Sequence, residues 1–315
     1  MSVQEKLRSK PQWGSGFGQF ACWVAAAVVS AVCLSIIGYL VFQGWHSLSW
    51  KFFTTDPSES MREGAGGGVR VPIVGTALLI VLAVLVMFPI AVGAATYLSE
   101  YMDESSWFTR VVRTGLEVLA SVPSVVFGMF GLALFSMPIF TFLSSSGAEG
   151  ASQAFGRSFL VAAIVMGVHV LPFVIKVSEE SIRAVPVSYR RGAHALGITK
   201  WRSIRKVVLP AAAPGIVTAV ILGMGLIAGD TAIVWLLLGG TTTMGASNWW
   251  APSQFLQVLR GTGATLTTYI FFNSPAGDGN SPQLAYAAAL VLVVLVLALN
   301  VIASIVGRRR KRQGS

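Results

Sequence analysis

Charged residues are scarce in this chain, since only 11% of its 315 residues are Asp, Glu, Lys or Arg. A soluble domain carries about 25% charged residues, so this chain has too few to cover a water-facing surface in the usual way. Residues of the hydrophobic class make up 54% of the sequence, and the mean hydropathy is +0.70. The composition therefore argues against an ordinary soluble enzyme, whether cytosolic or secreted.

Residues that build disulfide, metal and nucleotide sites are also scarce. The two cysteines, Cys22 and Cys33, lie in one apolar run at helical spacing, which does not indicate a disulfide framework. The three histidines are scattered, and the sequence shows no zinc-type cluster. A G-x-x-x-x-G-K-S/T motif is missing as well. We therefore expect this chain to bind no metal, ATP or other cofactor itself.

Long apolar runs, in contrast, are abundant. Crossing a hydrocarbon core about 30 Å thick takes about 20 residues, and six runs meet or approach that length. The predicted spans are 20–42, 71–98, 118–143, 158–175, 214–240 and 282–307. The first is too long for the apolar part of a signal peptide, and no small-residue cleavage site follows it. The pattern predicts an all-α polytopic membrane protein with six transmembrane helices.

The placement of basic residues indicates how these spans are oriented. If the N-terminus is inside, the inner segments hold 18 of the 23 Lys and Arg residues and the outer segments hold 5. Such an excess marks the cytoplasmic side. We therefore expect a multi-pass protein of the plasma membrane (the inner membrane of a bacterium) with a cytoplasmic segment at 1–19, a six-span domain at 20–307 and a basic cytoplasmic tail at 308–315. The net charge of +10 then records topology, and no nucleic-acid partner is needed to explain it.

The inner loop between spans four and five, at 178–212, carries the densest group of basic residues. Ser188 is a suitable N-cap and Gly197 a suitable C′ residue for a short helix, and Thr199 is placed to cap a second one. The expected apolar stripes comprise Tyr189, Ala193 and Leu196 on the first helix, and Trp201, Ile204 and Val208 on the second. The pattern alone leaves two interpretations open. The loop rests on anionic lipid head groups, or its apolar ridge docks into a groove on a cytoplasmic partner.

This loop resembles the coupling segment of ABC importer permeases, which reads E-A-A-x3-G-x9-I-x-L-P. The spacing is kept from Arg191-Gly192-Ala193 through Gly197 to Val207-Val208-Leu209-Pro210, although Arg191 replaces the family's Glu and Gly192 its first Ala. The resemblance implies a type I, MetI-like permease with its importer core at about 71–307 and a cytoplasmic coupling helix. The implied ATPase-coupling residues are Tyr189, Arg191, Gly192, Ala193, Leu196, Gly197, Trp201, Ile204, Leu209 and Pro210.

A second resemblance is more specific and covers most of the chain from about residue 47 onward. Residues 90–135 are similar to a stretch typical of PstA-type permeases of phosphate-specific ABC importers. So are WKFFTTDPSE, the later VGTALL, and IAGDTA at 227–232, where that family reads G-E-T-A. The likeness implies a subunit without covalent chemistry that pairs with a homologous PstC-type permease. It also implies a PstB-type ATPase dimer, which binds ATP and Mg, and an extracytoplasmic PstS-type protein that delivers phosphate.

Polar residues and a proline within or beside the spans are the candidates for the translocation path. They are Glu117, Ser121, Pro123, Ser124, His169, Asp230 and Thr231. A charge at mid-helix costs about 2.5–3.5 kcal/mol on insertion scales, so Asp230 needs an explanation. Because an anion repels phosphate, we expect Asp230 to pair with a basic group of the partner permease or to take a proton. Each candidate also has a structural alternative: a snorkelling or lysine-paired Glu117, serines bonded to local backbone, and a packing role for His169.

Other functions remain open at this stage. The coupling pattern is shared among importers, so the substrate could be another oxyanion such as sulfate or molybdate. A stand-alone secondary transporter would predict internal repeats between the two halves, and the sequence shows no clear repeat. A sensory or scaffold membrane protein would have similar spans, and a transport assay separates it from a permease.

Overall fold

The computed structural model describes residues 13–57, 67–103, 105–144, 156–241, 244, 252–275 and 281–312. These residues form helices and turns and contain no β-strand. The helices are α1 (Trp13–Gly44), α2 (Trp50–Thr54), α3 (Arg70–Glu100), α4 (Trp107–Ser121), α5 (Ser124–Phe135), α6 (Phe159–Arg183), α7 (Val187–Ala195), α8 (Lys200–Ser203), α9 (Leu209–Gly229), α10 (Ala232–Leu238), α11 (Phe255–Arg260), α12 (Leu266–Asn273) and α13 (Pro282–Arg312). An all-helical chain is what a lipid environment favours, because a helix satisfies its backbone polar groups internally.

Five segments of the described chain are long and apolar enough to cross a membrane, and one bent helix pair brings the count to six. The five are Gly18–Ser47, Arg70–Glu100, Phe159–Arg183, Lys200–Gly229 and Pro282–Ile305. The bent pair is α4 with α5, whose axes differ by 100°. The six predicted crossings are therefore present when that pair counts as one span.

The third predicted span, 118–143, is interrupted at Pro123, one of the prolines that the sequence predicts to kink or break a helix. The chain breaks at Val122 and Pro123, both of which have extended backbone. A residue before proline avoids the α region, and proline supplies no N–H to a preceding turn. Helix α5 alone has only 12 residues, so it is too short to cross the membrane by itself.

Helices α3, α6 and α9 form the centre of the bundle and pack closely through small residues. Between α6 and α3, a Cβ at Gly167 would lie 3.3 Å from the Ala83 carbonyl oxygen, and at the start of α3 a side chain at Gly75 would overlap the carbonyl of Ala264, which precedes α12. On α9, a Cβ at Gly223 would lie 2.9 Å from Val174 of α6. Small residues allow such close backbone approach between helices in lipid, where packing replaces the hydrophobic effect.

The long helix α1 lies at the edge of the bundle and packs against α13. The rings of Tyr39 and Tyr286 meet edge to face with centroids 5.5 Å apart, and Gly44 lies beside the backbone of Ala287. Most described side chains of α1 are exposed in the isolated chain, including the unpaired thiols of Cys22 and Cys33. These apolar faces are suited to lipid or to another subunit.

Tyr269 of α12 fastens the outer segments to the end of the bundle where α3 begins. Its hydroxyl donates to the Gly67 carbonyl oxygen at 2.7 Å, and burial raises the pKa of this phenol. Its ring packs with Phe52 of α2, Val69 and Ala288 in a separate apolar cluster. The opposite end of the bundle, formed by Glu100, Arg183 and residues 187–208, is called the basic end below.

The structure also shifts several predicted boundaries. The predicted fifth span starts near Pro214, but its helix is continuous from Lys200 to Gly229, and Pro210 does not end it. A π-helical stretch, Ile204–Val208, precedes Pro210 and accommodates the missing N–H of the proline. Helix α13 continues through Arg312 into the predicted tail. Most of the predicted N-terminal segment, 1–12, lies outside the described residues, as do 313–315.

A pair of glycines on α3 tests the close contact between α3 and the chain segment before α12. Gly75→Ala is expected to destabilise the protein by about 1–3 kcal/mol because the added methyl overpacks the contact with Ala264. Gly93→Ala is the matched control, since no described atom outside the local helix lies within 4 Å of its Cβ position. It should be neutral or should stabilise the helix by about 0.5–1 kcal/mol. Thermal unfolding in detergent compares the two, and equal effects would contradict this packing.

Candidate functional site

The turn between α7 and α8 exposes three large apolar side chains at the basic end. Tyr189 is 54% exposed, Leu196 80% and Trp201 59%. We call these three residues the apolar patch. A hollow of about 430 Å³ adjoins it, and Tyr189, Leu196 and Val207 contribute to its lining. Large exposed apolar side chains rimmed by polar groups mark interaction surfaces.

The remaining residues of the predicted stripes point inward and fix the patch to the bundle. Ala193 is 5% exposed, Ile204 1% and Val208 0%. The two predicted stripes are therefore split: their small or β-branched members are buried, and the aromatic residues and Leu196 remain outside. Of the other predicted coupling residues, Arg191, Gly192 and Pro210 are exposed, whereas Leu209 is half-buried.

Gly197 shapes the turn that presents the patch. Its φ is +69°, in the left-handed region, and the Ile198 N–H donates to the Ala193 carbonyl oxygen at 3.2 Å. Together these features form a Schellman-type helix end with glycine at C′. The prediction that Gly197 ends the first helix is therefore confirmed.

Basic side chains surround the apolar patch without any acidic residue in the same segment. Residues 184–210 contain six Lys and Arg residues and no Asp or Glu. Arg191, Arg202, Arg205 and Lys206 are exposed, whereas Arg190 is turned inward. The surface therefore combines an apolar centre with a positively charged rim.

An ion-pair layer lies directly beneath the patch. Arg190 of α7 meets Glu100 at the end of α3, with 2.7 Å between Nη2 and Oε1. Glu179 of α6 accepts from Arg113 of α4 at 2.6 Å and from Arg183 at 3.0 Å. Both glutamates are largely buried, with side chains 8% and 11% exposed, so their charges depend on these partners.

A cation–π contact adds a further connection in this layer. Lys200, the first residue of α8, places Nζ 4.7 Å from the ring centroid of Tyr101. The Tyr101 ring stacks on Tyr97 of α3. The end of α3 thus contacts both helices that carry the apolar patch.

Two helix breaks lie beside the middle of α6. The first separates α4 from α5 at Val122–Pro123, and Phe127 on the second turn of α5 packs on His169 with ring centroids 4.9 Å apart. His169 is ten residues beyond the start of α6, about 15 Å along its axis. Its Nδ1 atom is buried and has no hydrogen-bond partner among the described residues.

The second break separates α9 from α10 at Asp230–Thr231. The Ile233 N–H donates to Asp230 Oδ1 at 2.9 Å, so the carboxylate caps α10 and lies at the positive end of its dipole. This hydrogen bond gives the Asp230 charge a role within its own chain. The sequence alone predicts instead that Asp230 pairs with a basic group of the partner permease or takes a proton. Asp230 also interacts electrostatically with His169.

Small residues bring the two short helices together above these breaks. A Cβ at Gly128 of α5 would lie 2.7 Å from Leu236 and 3.3 Å from Ile233 of α10. Thr231 and Trp235 also line an open hollow of about 440 Å³, to which α12 contributes Thr267, Ile270 and Phe271. Both breaks are therefore covered by protein on at least one side.

The predicted path residues fall into two groups. His169, Asp230 and Thr231 lie at or beside the second break, and Pro123 and Ser124 form the first. Glu117 is exposed on α4, and the exposed Ser121 hydroxyl donates to the Val118 carbonyl oxygen at 2.7 Å, which is the local bonding that the sequence offered as its alternative. Sequence reasoning missed Glu100, Glu179 and Arg190. The pairs Arg113–Glu179 and Arg190–Glu100 join residues 66 and 90 positions apart and leave no short-range pattern, whereas the i,i+4 spacing of Glu179 and Arg183 was a local signal.

A pair of glycines on the helix-turn-helix tests whether the turn positions the patch. Gly197→Ala forces a Cβ into the left-handed region and is expected to cost about 1–2 kcal/mol, distorting the turn. Gly192→Ala lies in open space on α7 and should be tolerated. Limited proteolysis between residues 184 and 210 reports the difference. Equal cleavage rates in the two variants would show that the turn does not depend on Gly197.

Comparison with known proteins identifies relatives over almost the whole chain. The family model described as "Binding-protein-dependent transport system inner membrane component" matches residues 87–312. "Probable ABC transporter permease protein YqgI" of Bacillus subtilis is 30% identical, covering 90% of this chain and 92% of its own. "Phosphate transport system permease protein PstA" of Yersinia pestis is 28% identical, with coverage of 98% and 96%. "Phosphate transport system permease protein PstC" of Pasteurella multocida is 27% identical, with coverage of 92% and 90%.

Solved structures agree with the fold. The bacterial alginate ABC transporter in complex with an alginate pentasaccharide-bound periplasmic protein contains a chain with a TM-score of 0.58 and 17% identity, covering 96% of this chain and 99% of that one. A second structure of a bacterial ABC transporter for alginate import gives a TM-score of 0.56 and 16% identity, with coverage of 92% and 98%. At these identities the likeness concerns the fold, and it confirms the predicted MetI-like architecture. The chain belongs to the family of binding-protein-dependent transport system inner membrane components, and it is a multi-pass permease subunit of an ABC importer.

Proposed function

We propose that this permease imports inorganic phosphate, as one of two homologous permeases driven by a cytoplasmic ATPase dimer. The substrate assignment is supported by relatives named phosphate permeases PstA and PstC, which are 27–29% identical over at least 86% of this chain. The partners in this proposal are a PstC-type permease, a PstB-type ATPase that binds ATP and Mg, and a PstS-type binding protein outside. The basic end then faces the cytoplasm, in line with the excess of basic residues there.

The observation that carries the coupling role is the exposed apolar patch within its basic rim. A helix pair that leaves Tyr189, Leu196 and Trp201 exposed can dock as a ridge into a groove. If the helix pair rested on lipid head groups, it would use the same basic side chains. The turn at Gly197 and the buried side chains of Ala193 and Ile204, however, give the pair a fixed shape. A fixed shape suits a protein groove better than a fluid surface.

Arg191 makes the docking chemistry specific. Where related importers have Glu, this chain places an exposed cation beside the patch, and no acidic residue of the 184–210 segment offsets it. The ATPase groove should therefore carry acidic side chains at its rim, since like charges across an interface oppose association. Closure of the ATPase dimer on ATP would then move the patch together with the spans behind it.

In this proposal the path for phosphate runs along the two helix breaks near His169. Irregular backbone at membrane depth is tolerated where it is buried in protein or lines a water-filled cavity. The first turn of α5 presents N–H groups that lack intrahelical acceptors, and Ser124 adds a hydroxyl. Asp230 is occupied as the cap of α10, so it shapes the path without binding the anion, and the partner permease supplies any cation that phosphate needs.

The deciding experiment is ATP-dependent uptake of labelled phosphate, sulfate and molybdate by the complex reconstituted in vesicles. Phosphate should be taken up only with ATP and the loaded binding protein. Uptake of sulfate or molybdate in its place would assign another oxyanion, and uptake without the ATPase would indicate a secondary transporter.

Two tryptophan variants test the coupling surface in the same preparation. Trp201→Ala removes an exposed aromatic anchor and should weaken co-purification of the ATPase by about tenfold or more, as loss of a hot-spot residue does. Trp107→Ala removes a tryptophan of similar exposure, 69%, from α4 outside the patch and should leave assembly unchanged. If Trp201→Ala retains the ATPase as well as the control does, the docking surface lies elsewhere.

A further inference from the structure

Arg190 joins three helices at the basic end. From α7, its Nε and Nη2 donate to Oε1 of Glu100, the last residue of α3, at 2.9 and 2.7 Å. Its Nη1 donates to the Val185 carbonyl oxygen at 2.6 Å, and Nη2 to the Ile182 carbonyl oxygen at 2.9 Å. These two carbonyls lie at and just beyond the last turn of α6. One guanidinium therefore satisfies acceptors at the ends of two neighbouring helices.

Each of these acceptors depends on Arg190 for a physical reason. Glu100 is 8% exposed and stands at a helix C-terminus, where the macrodipole disfavours a negative charge. The Val185 carbonyl lies beyond the last turn of α6, where carbonyl groups lack intrahelical donors. The Ile182 carbonyl oxygen accepts from the Ala184 and Val185 N–H groups as well, so Arg190 adds a further bond there. The planar guanidinium of arginine has five donors and can bond to all three acceptors at once. The ammonium group of lysine is a compact point charge and cannot.

We propose that Arg190 is a positioning residue that makes the coupling helix α7 move as one body with α3 and α6. The inference rests on the proposed function, because it assumes that an ATPase acts on the apolar patch. The chain joins the patch to α6 through residues 184–186 and to α9 through the π-helical stretch. Side-chain contacts add the Lys200–Tyr101 contact at the end of α3 and the Arg190 clamp to α3 and α6. Since His169 lies on α6, the clamp links the patch to the helix breaks.

Loss of the clamp should uncouple ATP hydrolysis from transport. Without it, α7 is held to α6 only by the short segment 184–186 and to the end of α3 only through the Lys200–Tyr101 contact, so a displacement of the patch is passed to α3 and α6 less rigidly. The ATPase can then close and open without an accompanying movement of the helices around His169. The expected signature is a lower ratio of phosphate transported to ATP hydrolysed, with the complex still assembled.

The test compares Arg190→Gln, Glu100→Gln and the double variant in the reconstituted complex. Each single change should lower phosphate transported per ATP by about tenfold, within the range of measured coupling effects. The double variant should be no worse than the worse single one, because both changes remove the same contact. Arg190→Lys, which keeps the charge but not the fork, should give an intermediate ratio. Arg110→Gln is the matched control, since it removes an exposed cation from α4 and should leave the ratio unchanged.

A distance measurement separates this inference from the choice of substrate. Spin labels are placed at the exposed positions Ser105, after α3, and Ser188, on α7, with Cys22 and Cys33 replaced by alanine. In the otherwise unaltered complex the distance should be narrowly distributed and the same with and without ATP. In Arg190→Gln it should broaden or change when ATP binds.

These outcomes decide the two proposals independently. If the complex moves no phosphate but the label distance behaves as expected, the clamp stands and the substrate assignment fails. A wild-type transport ratio together with a narrow distance in Arg190→Gln overturns the clamp. Should Arg190→Gln fail to assemble, Arg190→Lys decides in its place, and a wild-type ratio and distance in that variant would overturn the inference.

Discussion

The backbone of a membrane-spanning chain must satisfy its polar groups inside the protein, and this constraint organises the whole structure. It favours helices throughout the described residues and makes every interruption of a helix costly. Both interruptions near His169 occur where neighbouring helices cover them. Asp230 caps α10, and Gly128 lets α5 approach α10 closely. The breaks are therefore built features of the fold, at the depth where a polar solute would have to cross.

Helix α6 connects the two regions on which the functional account depends. His169 contacts the first break, and Glu179, about 15 Å further along the same helix, anchors α4 through Arg113. The Arg190 clamp then attaches the end of α6 to α7. A displacement of the apolar patch can reach the breaks through rigid, ion-paired elements. This arrangement fits a two-state permease whose energy comes from an external ATPase.

The sequence was sufficient for the features that depend on composition or on short-range pattern. Apolar runs predicted the spans, Gly197 predicted the end of the first coupling helix, and Asp230 marked the interruption of the fifth apolar run. Local rules failed where tertiary context decides. Pro210 lies inside a long helix because a π-helical stretch accommodates it, whereas Pro123 breaks the third span as proline is expected to do. The pairs Arg190–Glu100 and Arg113–Glu179 join residues 90 and 66 positions apart, so a single chain without structure gives no means of pairing them.

The claim that the two helix breaks border a water-filled path is open to a direct measurement. Single cysteines are placed at Ser124 and Thr231 in the complex lacking Cys22 and Cys33, and at Leu85, an exposed position of α3 near the same depth, since Ala83 lies opposite Gly167. The rates of modification by a membrane-impermeant thiol reagent are then compared. The account predicts that cysteines at Ser124 and Thr231 react much faster than the one at Leu85. Equal, slow modification of all three would contradict it.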